Sequence, residues 1–292
     1  MLEEGAMERL DRRRCFWSER LDRLAAYLEK LKMQSHRIVS REEWLSERKA
    51  LLACEKALTK ARDEVARQRR ELPFVRVEKP YRFEGLKGEE SLADLFEGRS
   101  QLIVYHFMFG PEWQEGCRGC SFLADHIDGA VPHLAHRDVT LTAVARAPLR
   151  RIEAFKARMG WRFKFVSSFG SDFNFDHGVS FTAGELATTG EIAYNYKMQK
   201  GSDELPGISV FYKNERDEIF HSYSSYGRGG DLLIGTYNYL DLVPKGRDED
   251  SLAFPMAWVR HHDRYGDGHA VDPKAGHMPP RKTSCCEGRG DS

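Results

Sequence analysis

The sequence predicts an α/β fold, a central mixed sheet flanked by helices and preceded by a helical extension. Three observations predict it. From Pro73 onward, short apolar runs alternate with helix-compatible stretches, as in a sheet whose strands are joined by helices. The apolar run Leu102 to Phe109 leads through a loop into Cys117-Arg118-Gly119-Cys120, directly before a helix-compatible stretch from Ser121 to Ile127. Later, two apolar runs flank Lys213 to Glu218 as a hairpin, and another helical stretch follows.

The extension comes first. Met7, Leu10, Trp17, Leu21, Leu24, Leu28 and Leu31 mark one amphipathic helix with a narrow apolar seam. Ser40-Arg41-Glu42-Glu43 is a capping box, after which Trp44, Leu51, Leu58, Val65 and Leu72 recur every seven residues until Pro73 stops the helix. Glu47, Cys54, Ala61 and Gln68 at the partner positions are too polar for a strong coiled-coil seam. The repeat is therefore read as a helix lying along the main domain or pairing with the first helix, with a homodimer zipper as the alternative. Cys54 reads as a small apolar core residue. Residues 1–72 form this extension.

The main domain is placed at 73–248. Strands are expected at 74–79, 102–109, 139–144 and 162–167, and helices at 91–97, 120–126 and 148–159, the last with Pro148 at its first turn. A hairpin pairs 208–212 with 219–223, and 231–242 is the closing helix. Alternating β and α units followed by a hairpin and helix match the two halves of a thioredoxin-like sandwich. Residues 249–292 turn polar and rich in His, Gly and Pro, and read as a loose tail.

Composition narrows the function. Lys plus Arg equals Asp plus Glu at 45 each, which argues against nucleic-acid partners and anionic membrane surfaces. No apolar run is long enough to span a bilayer, and the charged N-terminus lacks a secretory signal, so a cytoplasmic protein is expected. A reducing compartment disfavours structural disulfides, and the six cysteines are not spaced as a disulfide framework.

Cys117 and Cys120 then read as a redox dithiol. A cysteine at a helix start meets unpaired backbone N–H groups and the positive end of the helix dipole, which favour thiolate, and Arg118 adds a positive charge. Cys117 is the attacking thiolate and Cys120 the resolving thiol. Phe169 to His177 is turn-rich yet apolar. Its phenylalanines are read mainly as plugging the core, with Asp172 and Asp176 serving local backbone donors, and alternatively as a specificity surface over the dithiol.

The segments Tyr105 to Pro111, Gly116-Cys117-x-x-Cys120-Ser121-Phe122, Arg146-Ala147-Pro148-Leu149, Met159-Gly160-Trp161, Ser167 to Asp176, Ser209-Val210-Phe211-Tyr212, Asp241 to Arg247 and Ser40 to Leu45 carry a resemblance. The chain resembles a bacterial thioredoxin-like family known mainly as a domain of unknown function and described as predicted dithiol–disulfide oxidoreductases. The resemblance covers about residues 36 to 265. Residues 1–33 look like an addition to the usual family start, with Met7 or Met33 as alternative initiators.

Pro206, ahead of Ile208 to Phe211, resembles the cis-proline that thioredoxin-like sites set facing their cysteines, although most X-Pro bonds are trans. Two departures stand out. Thioredoxins bury a carboxylate in the strand before the cysteines, and Val104 to Phe107 contains none. His106, Glu112 or Glu115 are candidate bases, with His106 read more readily as a satisfied core histidine. The connection to Cys117 is also longer, and Trp113 within it would shape a substrate surface. A peroxidase variant ranks lower, because Pro111 is misplaced by one residue and Glu115 and Gly116 stand where a threonine is needed.

The candidate site is therefore Cys117 and Cys120 as the reacting pair, with Trp113, Arg118, Pro206 and Phe173 as substrate-binding residues. Neither metal nor cofactor is called for, and the partner is a protein or small-molecule disulfide or thiol. Two other readings compete. Cys117 and Cys120 could bind zinc with Cys285-Cys286 or with His261, His262, His269 and His277, although the spacing matches no finger pattern. The N-terminal helices could instead make the chain a noncatalytic interaction protein on a thioredoxin-like scaffold.

Overall fold

The computed structural model describes residues 36–265, apart from Thr189 and the side chain of Thr188. The helix expected over 7–31, Cys15, His269, His277 and Cys285-Cys286 lie outside these residues. The chain divides into two compact units, one ending at Gln68 and the other starting at Arg69.

Helix α1 spans Arg41–Arg70. The Ser40 hydroxyl accepts the Glu43 N–H at 3.1 Å as a capping residue should, while the Glu43 carboxylate pairs with Arg37 instead of reaching back. Local ion pairs such as Arg67–Glu64 support it from within. None of its residues is buried, and the seven-residue row is open, with Trp44, Leu51 and Leu58 each about half exposed. Cys54 is exposed too, against its reading as a core residue. An apolar position only once in seven residues makes a stripe too narrow to form a core by itself.

The second unit holds an eight-stranded sheet. Its strands are β1 (Val75–Arg76), β2 (Arg82–Gly85), β3 (Gly88–Ser91), β4 (Gln101–His106), β5 (Val139–Ala145), β6 (Lys164–Ser167), β9 (Gly207–Lys213) and β10 (Ile219–Tyr226). They lie in the order β1-β10-β9-β4-β5-β6-β2-β3. Strands β4, β5 and β6 are parallel, joined by α2 (Arg118–Ala124) with α3 (Val131–His136) and by α4 (Leu149–Arg158). On the other side of β4, β9 runs antiparallel and continues as the β9–β10 hairpin, followed by α7 (Gly235–Leu240). A strand, helix and parallel strand, then a hairpin and helix on the opposite flank, make this a thioredoxin-like fold.

Between β6 and β9 come α5 (Phe173–Asp176), α6 (Ala183–Thr188) and a separate hairpin, β7 (Glu191–Tyr194) with β8 (Lys197–Lys200). Asn195 and Tyr196, both with positive φ, form its turn. The sequence reading missed this hairpin and the β2–β3 hairpin, because both are short and carry many charged residues. The closing helix is interrupted: a 3₁₀ stretch, Gly227–Leu233, precedes α7, with the extended Ile234 between them. Beyond Asp248 the chain returns to the body, burying Ala257, Val259 and His261.

Alternation along the strands builds two cores. Tyr105, Ala143, Phe165 and Ile208 face one side with both cysteines, while Leu102, Val104, Val144, Val166 and Phe211 face the other.

Candidate functional site

The site forms where β4 ends. Phe107 still donates to the Val144 carbonyl at 2.9 Å, after which the chain leaves the sheet, three residues earlier than the apolar run suggested. The loop to Cys117 is pinned at several points. Arg151 of α4 donates to the carbonyls of Pro111 and Trp113, and the Cys117 N–H donates to the Met108 carbonyl at 3.0 Å. Trp113 is half-buried against the core. Gly116 is required by space: a Cβ there would lie 2.5 Å from the Phe107 ring and 2.8 Å from that of Phe155.

Cys117 is the N-cap residue of α2 and its carbonyl accepts the Ser121 N–H at 2.9 Å. Cys117 and Cys120 are both free thiols, and both are buried. Their environments pull them apart. The Cys120 side chain, followed by the backbone N–H groups of Cys120 and Gly119 and the charge of Arg118, holds Cys117 below the usual thiol range against the opposing effect of burial. Burial and then Cys117 itself push Cys120 well above that range, partly offset by Tyr105 and the Met108 N–H, which lies 3.5 Å from the Cys120 sulfur. The arrangement can therefore hold one thiolate beside one thiol.

Cys117 is covered where a reacting thiolate has to be reached: it is only 3% exposed and belongs to the core on its side of the sheet. The long loop is closed by the Cys117–Met108 backbone bond, and the chain beyond Asp248 holds its end. The His261 Nε2–H donates to the Gly116 carbonyl at 2.9 Å, while its Nδ1 accepts from Arg158 at 2.7 Å. Arg158 and Arg264 both grip Glu115, holding its carboxyl below the carboxylate range although burial works against them. Glu115, a candidate base, is thus committed to ion pairs.

Pro206 precedes Gly207, which pairs with His106 at the end of β4. Its peptide bond is trans, and no bond among the described residues is cis. The Pro206 carbonyl accepts from the Tyr194 hydroxyl at 2.6 Å, and that hydroxyl in turn accepts the Gly227 N–H at 2.7 Å. Tyr194 thereby ties β7 to the residue that precedes β9. Arg118 stays partly exposed beside the sulfurs.

Phe173 is not a substrate surface. Fully buried on the other face of the sheet, it packs edge-on against Tyr81 and Phe83 with centroids 5.0 and 4.9 Å away, which fits the core-plug reading of its loop. Asp172 and Asp176 pair with Lys79 rather than with local backbone donors. His106 lies on that same face, its Nε2 2.9 Å from the Ser209 hydroxyl, so it is no base for Cys120.

The residue the sequence reading passed over is Tyr105. Searching Val104 to Phe107 for an acid overlooked a hydroxyl on the cysteine side, although strand alternation places residue 105 there. Among the described residues no group of three or more His, Cys, Asp or Glu side chains could hold a metal ion. No described helix is long and apolar enough to cross a membrane.

The family model for bacterial proteins of unknown function, DUF899, matches residues 33–265. No curated protein matches the chain. Among solved structures, the peroxidoxin BcpB of Mycobacterium tuberculosis is similar at 10% identity and TM-score 0.33, covering 56% of this chain and 95% of that one. A cysteine-to-serine mutant of Xanthomonas campestris peroxiredoxin Q is similar at 15% identity and TM-score 0.34, over 57% of this chain and 95% of that one. A secreted Mycobacterium tuberculosis disulfide oxidoreductase is similar at 14% identity and TM-score 0.30, over 53% and 92%.

Proposed function

We propose that this chain, which belongs to the DUF899 family of bacterial proteins of unknown function, exchanges thiols and disulfides through Cys117 and Cys120. One observation carries the reading: two free thiols, spaced Cys-x-x-Cys at the start of α2 and gathered in one core, the second with the Met108 N–H 3.5 Å from its sulfur, while their surroundings favour thiolate at the first and thiol at the second. That asymmetry is what a nucleophile and its resolving partner need. Cys117 attacks a disulfide sulfur to form a mixed disulfide. Cys120 then attacks the Cys117 sulfur, closing the intramolecular disulfide and releasing the substrate thiolate.

Burial of Cys117 favours small thiols and disulfides over folded proteins as substrates, because a large partner would need the 107–117 loop displaced. Arg118 and Trp113, beside the pair and on its loop, are the side chains best placed to meet an incoming molecule. Treating the Cys120→Ser variant with oxidised glutathione, followed by mass spectrometry, tests this. A glutathione adduct on Cys117 is expected, with none on the Cys117→Ser variant. An adduct that forms equally without Cys117 would overturn the assignment.

A further inference from the structure

Trp44, Leu51, Leu58 and Val65 form the open row of α1, each between 44% and 54% exposed. They hold the first position of a seven-residue repeat, while the fourth position holds Glu47, Cys54, Ala61 and Gln68, all polar or small. Such a half seam does not suit a second copy of itself. Aligned in parallel, two copies put Glu47 against Glu47, and aligned antiparallel they put each large side chain against a small or polar one. A partner for this face needs apolar residues at both positions of its repeat.

The segment 7–31 carries that repeat. Its apolar residues run from Met7 to Leu31 at alternating spacings of three and four, and Arg14 alone breaks the series. When two helices pair antiparallel, the first position of each faces the fourth position of the other. Setting Leu31 against Trp44 then brings Trp17 to Leu58 and Leu10 to Val65, and Leu24 meets Leu51 between them. The break is accommodated too, since Arg14 falls opposite the small Ala61. The flanks agree with this register. Tyr27 and Arg20 fall opposite Ala50 and Ala57, large against small, while Asp11 falls opposite Arg62 and Arg13 opposite Glu64, each charge against its opposite.

The described chain turns in the direction this pairing needs. Arg37, which precedes the Ser40 cap, pairs with Glu43 and with Glu47, the second at 3.2 Å. Glu43 and Glu47 border the row beside Trp44, so the chain reaches α1 along its first two turns and from the side of the row. Residues 32–40 separate the two seams, ample chain to bridge helices packed about 8–10 Å apart.

We propose that the apolar row of α1 is a docking face for residues 7–31 of the same chain, which lie on it as an antiparallel helix. The extension thereby closes on itself as a helical hairpin and is not a zipper for a second copy. A full apolar seam selects the half seam, and the short connection holds this occupant at an effective concentration of about millimolar, ahead of any second chain.

The test is a cross-link in the full-length protein. The register sets Leu21 opposite Cys54, which is free and exposed. Mild oxidation of the Leu21→Cys variant, followed by peptide mapping, should join position 21 to Cys54 within a single chain, with a yield independent of protein concentration. The Asp22→Cys variant, off the seam, should form no such link at the same oxidant dose. Hydrogen exchange supplies a second reading that needs no added cysteine. Leu58→Asp should speed amide exchange across residues 10–31 about tenfold or more, the effect of losing one buried leucine contact. A link from position 21 to Cys54 found only between two chains would give the row to a second copy and overturn the proposal. No link from position 21, equal linking from positions 21 and 22, or exchange across 10–31 unmoved by Leu58→Asp would each overturn it as well.

Discussion

Tyr105 and His106 are neighbours on β4, yet they sit on opposite faces of the sheet and in opposite kinds of polar environment. On the cysteine face, the Tyr105 hydroxyl donates to the Cys120 carbonyl at 3.4 Å and the Met108 N–H lies 3.5 Å from the Cys120 sulfur. On the other face, His106 opens a closed relay: its Nε2 meets Ser209, Ser209 meets Ser224 at 3.0 Å, and Ser224 meets His221 at 2.8 Å. His177 packs between His106 and His221, with centroids 5.6 and 5.3 Å away. The first arrangement leaves a reactive atom at its centre, while the second joins its polar atoms to one another. What separates them is the two-residue period of the strand, which sends adjacent side chains to opposite faces.

If the faces are independent, damage to the histidine face changes stability and leaves thiol chemistry alone. The largest effect is expected from Phe173→Ala, which empties a fully buried site among Tyr81, Phe83, His106 and Phe211. It should cost about 3–5 kcal/mol in denaturant unfolding, while the exchange rate per folded molecule is preserved. Parallel loss of exchange in the folded fraction would show that the faces communicate.

Acid should separate the faces as well. Burial, and then His221, lower His177 to about 4, while Asp176 works in the other direction. Between pH 6.5 and about 4 the unfolded chain therefore binds a proton that the folded chain refuses, so stability falls with pH across that window, by up to about 3 kcal/mol from this group. His177→Phe should flatten that slope in urea titrations at stepped pH. Glu204, raised to about 7 by burial despite its 2.7 Å ion pair with Arg146, contributes a slope of opposite sign. The comparison should therefore be read as the difference between wild type and variant.

A smaller effect is expected from Ser209→Ala. It removes the link between His106 and Ser224 and leaves the buried His106 ring, whose Nδ1 already has no hydrogen-bond partner, without one at Nε2. Destabilisation of about 1–3 kcal/mol should follow, with the glutathione adduct on Cys117 unchanged. Smallest of all, Arg264→Ala removes one of the two arginines that lock Glu115 beside the dithiol. Partly exposed ion pairs contribute about 1 kcal/mol or less, so alkylation of Cys117 by iodoacetamide should quicken by about fivefold at most. A faster reaction would mean that the segment beyond Asp248 covers the sulfur more tightly than its contacts suggest.

Much of the fold was legible because its signals are local. The run at 102–109, the hairpin around Asn214 and Asp217, and Pro148 before α4 declare themselves through apolar runs and turn chemistry. The hairpins β2–β3 and β7–β8 did not, since their four-residue strands bury few side chains and hold many charged ones. The reach of the ordered chain past Asp248 was equally hidden. Its polar composition resembles a tail, and what holds it in place is contact with distant elements, among them Glu249 with Tyr237, Trp258 with Phe122, His261 with Gly116 and Arg264 with Glu115.

By itself the sequence determined the dithiol, the strand that delivers it and the order of the elements around it, because spacing and periodicity are properties of the chain alone. The tertiary structure decided which side each neighbour of the cysteines faces, that Cys117 is covered, that Phe173 belongs to the core, and that a tyrosine meets Cys120 where an acid was sought. Each of these depends on which distant segments come together across a sheet. Burial and the pairing of buried polar atoms are relations between segments far apart in the chain, and no local pattern encodes them.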